Sequence, residues 1–92
     1  MKMKMNMSKY LVEFLGTTFF LFTMLRFPNP YLIALSLLVV ILVGGKVSGG
    51  HFNPAVSVMK FAKGELSSQN MVLYVLMQVL GGLFALFIYN ML

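Results

Sequence analysis

Reactive side chains are scarce in this chain of 92 residues, which has one histidine, two acidic residues and no cysteine. His51 and Glu13 are the pair that invites a metal ion, but no third ligand accompanies them. His51 as a catalytic base has no nucleophile arranged around it, so the residues lend no support to an enzyme. Without cysteine there is neither a disulfide framework nor a thiolate site. No cofactor is expected. The chemistry that remains is hydrogen bonding. It is concentrated in Ser48-Gly49-Gly50-His51-Phe52-Asn53-Pro54-Ala55-Val56. Asn53 is a good N-cap, because its side-chain oxygen can accept an orphan backbone N–H. Pro54 suits the first helical position, where its missing N–H costs nothing. The helix so begun is short, because Lys63-Gly64 would stop it. Eight or nine residues at ~1.5 Å each reach roughly 12–14 Å, about half of a ~30 Å hydrocarbon core.

The elements around this stretch must hold it at that depth. Hydrophobic residues make up 60% of the chain and charged ones 10%, far below the ~25% charged of soluble domains. They fall in three long blocks, which predicts an all-α membrane protein. The expected layout is a basic N-terminus over 1–9, then one domain over 10–92. Within it, spans cover about 10–27, 30–47 and 69–91, with a re-entrant loop and half-helix over 48–63. The net charge of +5 comes from residues flanking the apolar blocks. That pattern fits orientation in a lipid bilayer, not nucleic acid binding. A signal peptide is the rival reading of the N-terminus. The long apolar run, with no small-residue cleavage site before Arg26, argues against it.

The first span carries Glu13. Either it lies near the headgroups beside Lys9, or it faces inward and accepts backbone N–H groups from the irregular loop. Thr17 shares its face, and Gly16 allows close packing there. Arg26-Phe27-Pro28-Asn29-Pro30 is a break between spans. Gly44-Gly45-Lys46 marks the end of the second span. On the third, Gly81, Gly82 and Ala85 form a small-residue face for helix contact, and Gln78 is expected to bond between helices.

The stretch from Ser48 to Val56 resembles the first Asn-Pro-Ala loop of the major intrinsic proteins, the aquaporins and aquaglyceroporins. Glu13-Phe14-Leu15-Gly16-Thr17 resembles the start of that family's first helix, and Gln78-Val79-Leu80-Gly81-Gly82 its third. The likeness runs from about Glu13 to Tyr89 and covers the N-terminal half of the family fold, three spans plus one re-entrant half-helix. It implies that Glu13, with Thr17 and Gln78, supports the loop. It also implies that Asn53, Pro54 and Ala55 line a pore. The carbonyls of Gly49, Gly50, His51 and Phe52 would form an acceptor ladder below them. Ile33 matches an aromatic position of the family's selectivity filter, where Phe or Trp is common, and would widen or reshape it.

With the first span starting inside, Lys2, Lys4, Lys9, Lys46, Lys60 and Lys63 all fall on the cytoplasmic side, and Arg26 alone falls outside. This bias predicts the N-terminus inside and the C-terminus on the opposite side of a multi-pass membrane protein. It also disfavours an inverted copy of the same chain as the missing half. The leading expectation is a half-channel subunit that passes water or small neutral solutes such as glycerol once a second half joins it, within an oligomer of pores. The alternative is a non-conducting truncated membrane protein, or an assembly partner of a larger channel.

Overall fold

Asparagine and serine caps cut the chain into helices. The computed structural model describes residues 7–92, so Lys2 and Lys4 of the basic N-terminus lie outside the described residues. The first helix, α1, runs Ser8–Arg26. It stops where Phe27 N–H bonds Thr23 O at 2.8 Å and Pro28 follows. Asn29 then caps α2, Pro30–Ser48, its side chain accepting from the amides of Tyr31 at 2.9 Å and Leu32 at 3.2 Å, with Pro30 in the first turn. The half-length α3 covers Pro54–Ala62, capped by Asn53, whose Oδ1 accepts from Ala55 N–H at 2.8 Å. Its 9 residues rise about 13 Å at ~1.5 Å each. Gly64, at φ +90°, turns the chain after it. Ser67 caps α4, Ser68–Met91, by accepting from Asn70 N–H at 3.1 Å. Among the described residues all regular structure is helical.

The second helix runs through Gly44-Gly45-Lys46 and ends within one residue of the expected span over 30–47. It continues to Ser48, and the residue that stops it is Gly49 at φ +92°. Gly44 stays helical because it is a contact point. A Cβ there would stand 2.6 Å from the Val12 side chain.

α1 is the middle element. It packs against α2 on one side and α4 on the other, and α3 rests on α4. The α1–α4 crossing is close at Gly81, where a Cβ would stand 2.8 Å from Phe14 O and 3.1 Å from Thr17 Cβ. Thr18 Oγ1 bonds both Phe14 O at 2.7 Å and Gly81 O at 3.2 Å across this contact. Ala85 is fully buried one turn on, and the Phe14 and Phe84 rings meet at 5.5 Å. Gly82 sits beside this seam, 3.1 Å from Leu21 Cδ1 for an added Cβ.

The distribution of side chains is inverted relative to a soluble bundle. Glu13, Thr17, Ser48, His51, Ser57 and Gln78 are buried, whereas Leu42, Val43, Leu83 and Phe87 are exposed. Apolar groups on that scale gain nothing by facing water. α2 and α4 are each long and apolar enough to cross a membrane. The Cα envelope is 45 Å in its longest dimension, close to the ~40–45 Å of a bilayer with its headgroups.

Candidate functional site

Glu13 is the hub. It is fully buried one turn into α1. Its Oε2 accepts from Ser48 Oγ at 2.8 Å and from His51 N–H at 3.0 Å. Its Oε1 accepts from Phe52 N–H at 2.7 Å and Gln78 Nε2 at 2.9 Å. Of the two readings of Glu13, the inward one describes this geometry. No lysine or arginine forms an ion pair with it among the described residues. Donors replace water around the carboxylate instead, which is how a buried charge is tolerated without a counter-ion. Two consecutive loop amides thus end on a side chain that leaves the sequence 38 and 39 residues earlier.

A second layer surrounds this hub. Ser48 Oγ also accepts from Gly50 N–H at 3.1 Å, closing the turn after α2. Gln78 Nε2 reaches Ser57 Oγ at 2.9 Å, and Ser57 Oγ lies 2.8 Å from His51 Nδ1. Tyr74 OH donates to Ser48 O at 2.7 Å, its ring 5.0 Å from that of His51. Tyr10 meets Tyr74 edge to face at 5.8 Å and bonds Asn70 through its hydroxyl. The network ties α1, the end of α2, the loop, α3 and α4 into one unit.

Ser48, Ser57 and Tyr74 carry no role in the sequence reading. Two signals could have found them. Tyr74, Gln78, Gly81 and Ala85 are the buried residues of α4, spaced four, three and four apart as one helical face requires. Ser57 follows the Asn53 cap by one turn and is the one buried residue of α3. Thr17 differs from expectation. It is buried beside Gly81, but its hydroxyl has no hydrogen-bond partner among the described residues, so it makes no bond to the loop. The Gln78 carbonyl oxygen is likewise unpartnered.

The loop amides are held, but the loop carbonyls that follow Ser48 receive no described hydrogen bond. Gly49, Gly50 and Phe52 have φ of +92°, +68° and +52°. This left-handed run turns the backbone so that the amides of 51 and 52 face Glu13. No described hydrogen bond ends on the carbonyls of Gly49, Gly50, His51 or Phe52. Glycine adopts such angles freely, but Phe52 does so at a cost on the order of 1–3 kcal/mol. The residue is 2% exposed. Its ring fills a slot between α1 and α2, and a Cβ on Gly16 would stand 2.2 Å from it and one on Gly44 3.3 Å.

Asn53 and Pro54 are exposed at the tip of α3 and open onto a groove lined by Thr17, Met24, Phe52, Gln78 and Leu83. Ala55 is exposed beside them. Asn53 spends its oxygen on the cap, which leaves its amide N–H groups directed elsewhere. Ile33 belongs to a different element. It sits in the first turns of α2, half-buried, and α2 does not pack against α3.

Charges collect at one end. Val12 of α1 contacts Gly44 of α2, and Tyr10 of α1 contacts Asn70 of α4. Lys9 and Lys46 belong to that end, and so do Lys60 and Lys63. Lys63 and Lys60 hold Glu65 at 2.7 and 3.2 Å and keep its carboxyl below the usual carboxylate range. Arg26 is at the opposite end, near Tyr89 and Asn90.

A polar interior wrapped in apolar side chains defines an integral membrane protein, and a half-length helix seated among longer ones is an architecture used by membrane transporters and channels. The sequence model of the family described as Major intrinsic protein matches residues 1–92, and the chain belongs to that family. It is similar to Aquaporin Z of Photorhabdus laumondii, 41% identical over 51 residues, which are 55% of this chain and 22% of that protein. Aquaporin-3 of Milnesium tardigradum is 41% identical over 51 residues, 55% of this chain and 16% of its own length. Probable aquaporin TIP1-2 of Oryza sativa subsp. japonica is 44% identical over 52 residues, 56% of this chain and 21% of its own. The matched stretch is thus about a fifth of those relatives. No solved structure matches the chain.

Proposed function

We propose that this chain is the N-terminal half of an aquaporin-like pore. In this reading α1, α2 and α4 span the bilayer, and the segment 48–63 re-enters from the basic side. Water or a small neutral solute such as glycerol passes along the loop carbonyls of 49–52 and over the Asn53 tip. The observation that carries this reading is the division of polar groups in the loop. Its amides at 51 and 52 are tied to Glu13, whereas the carbonyls of 49–52 receive no described hydrogen bond and the Asn53 amide donors are not used by the cap. Irregular backbone at membrane depth is tolerated only against protein or a water-filled cavity. Polar groups left free there suit a path for hydrogen-bonding solutes. The start of α3 adds roughly half a positive charge from its unpaired N–H groups, which opposes cations.

The path needs a second wall, because Asn53, Pro54 and Ala55 are exposed and α3 rests on α4 alone. A second aquaporin-like half supplies it, and pores of this kind then assemble into oligomers. The clustering of Lys9, Lys46, Lys60 and Lys63 at one end supports the N-terminus inside and the C-terminus outside. The same bias disfavours an inverted copy of this chain as that half.

Stopped-flow osmotic shrinkage of vesicles holding the chain alone, and with a candidate second half, tests the proposal. Water permeability should rise above that of empty vesicles only for the pair. Equality in both cases rejects the channel reading in favour of a non-conducting membrane protein.

A further inference from the structure

We propose that Phe52 is the positioning residue of the re-entrant loop, its ring acting as a wedge in the Gly16–Gly44 slot that aims the tip of α3. Its relevance to transport rests on the pore reading above. Phe52 is the one non-glycine residue with positive φ among the described residues, at +52°. A bulky side chain persists there only when its surroundings over-determine it. Two contacts do so. Its N–H is held by Glu13 Oε1 at 2.7 Å. Its ring lies where a Cβ on Gly16 would stand 2.2 Å away, and is held from the other side by Gly44.

Both glycines therefore have a reason that helix packing alone does not give. At Gly16 the open space is taken by a loop residue and not by the facing helix, and at Gly44 the Phe52 ring shares it with Val12 of α1. The ring touches α1 and α2, whereas α3 packs on α4. Phe52 is thus a side-chain strut from the loop to the α1–α2 pair, and Asn53 follows it directly in sequence. A ring fixed in the slot fixes the Phe52 φ. That angle sets which way the 52 carbonyl and the Asn53 side chain point. Without the ring, the Glu13 bonds still hold the amides of 51 and 52, but rotation about Phe52 is released.

The absence of cysteine makes paired spin labels straightforward in the full chain in lipid vesicles. One pair, Ala55→Cys with Leu42→Cys, reads the tip against α2. A second, Leu42→Cys with Leu83→Cys, reads α2 against α4. Phe52→Gly and Gly16→Ala should each broaden the first distance distribution. The population outside the parental peak should rise about tenfold, the effect of losing one decade of conformational preference. The second distribution should stay as in the parent. Phe52→Leu, which keeps part of the volume, should fall between. The double variant should be no broader than Phe52→Gly alone, because an emptied slot has room for the methyl.

A parental tip distribution in Phe52→Gly overturns the proposal. So do additive effects in the double variant, or equal broadening of the helix pair. If Gly16→Ala does not fold, the Phe52→Leu and Phe52→Gly series decides alone. No transport is needed for this readout, so a null osmotic result removes the pore reading and leaves the wedge standing.

Discussion

Replacing Glu13 by Gln keeps the shape of the hub and changes its bonding. The carboxylate takes two donors on each oxygen, Ser48 and His51 on one, Phe52 and Gln78 on the other. Glutamine keeps one acceptor oxygen and turns two N–H donors toward the other pair. In the better orientation the oxygen stays with Phe52 and Gln78. Ser48 can then rotate, accept from the new amide and donate to Gly44 O, at 3.4 Å. The His51 N–H cannot rotate and is stranded. Losing hydrogen bonds to a charged group costs about 1.5–3 kcal/mol each, and a buried orphan donor about 1–3. The sum is roughly 3–5 kcal/mol, a large share of the ~5–15 kcal/mol typical of folded domains. Amide hydrogen exchange in micelles reads this locally. His51 should lose protection about a hundredfold or more, since ~1.4 kcal/mol is a factor of ten. Amides in the middle of α2 should change far less. Parental exchange at His51, or an unfolding loss below about 1 kcal/mol, would refute the view that Glu13 holds the loop.

Other substitutions test separate contacts. Gly81→Ala places a methyl 2.8 Å from Phe14 O, so it should cost about 1–3 kcal/mol in reversible unfolding by overpacking the α1–α4 crossing. Tyr74→Phe removes the bond to Ser48 O and should cost about 0.5–1.5 kcal/mol without altering helix content by circular dichroism. Glu65 has its carboxyl pKa lowered by Lys63 and then Lys60. The stabilisation it contributes is therefore present above its unfolded pKa and fades as pH falls through the folded one. Nuclear magnetic resonance titration should show its midpoint rising in Lys63→Met and in high salt. In a conducting pair, Asn53→Asp should admit cations, read as a monovalent ion leak in vesicles. An unchanged leak counts against dipole-based exclusion.

Much of the architecture is written locally. Asn29-Pro30, Asn53-Pro54 and Ser67 start helices because caps and prolines act within a turn of themselves. The apolar blocks announce a bilayer because the length of each is a property of contiguous residues. Family likeness, too, is carried by short strings around Glu13, Asn53 and Gln78. What the tertiary structure alone decided is which groups meet. Gly44 meets Val12 of α1 inside α2, a contact that no local signal announces. Thr17 reads as a partner of the loop, yet its hydroxyl bonds nothing described there. Ser48, Ser57 and Tyr74 are ordinary residues until folding brings them around Glu13. Phe52 gains its left-handed backbone only because glycines 36 and 8 positions away in sequence leave room for its ring. Caps and hydropathy act over a few residues and survive in the unfolded chain. Burial of a carboxylate and the fit of a ring exist only once distant segments have been packed together.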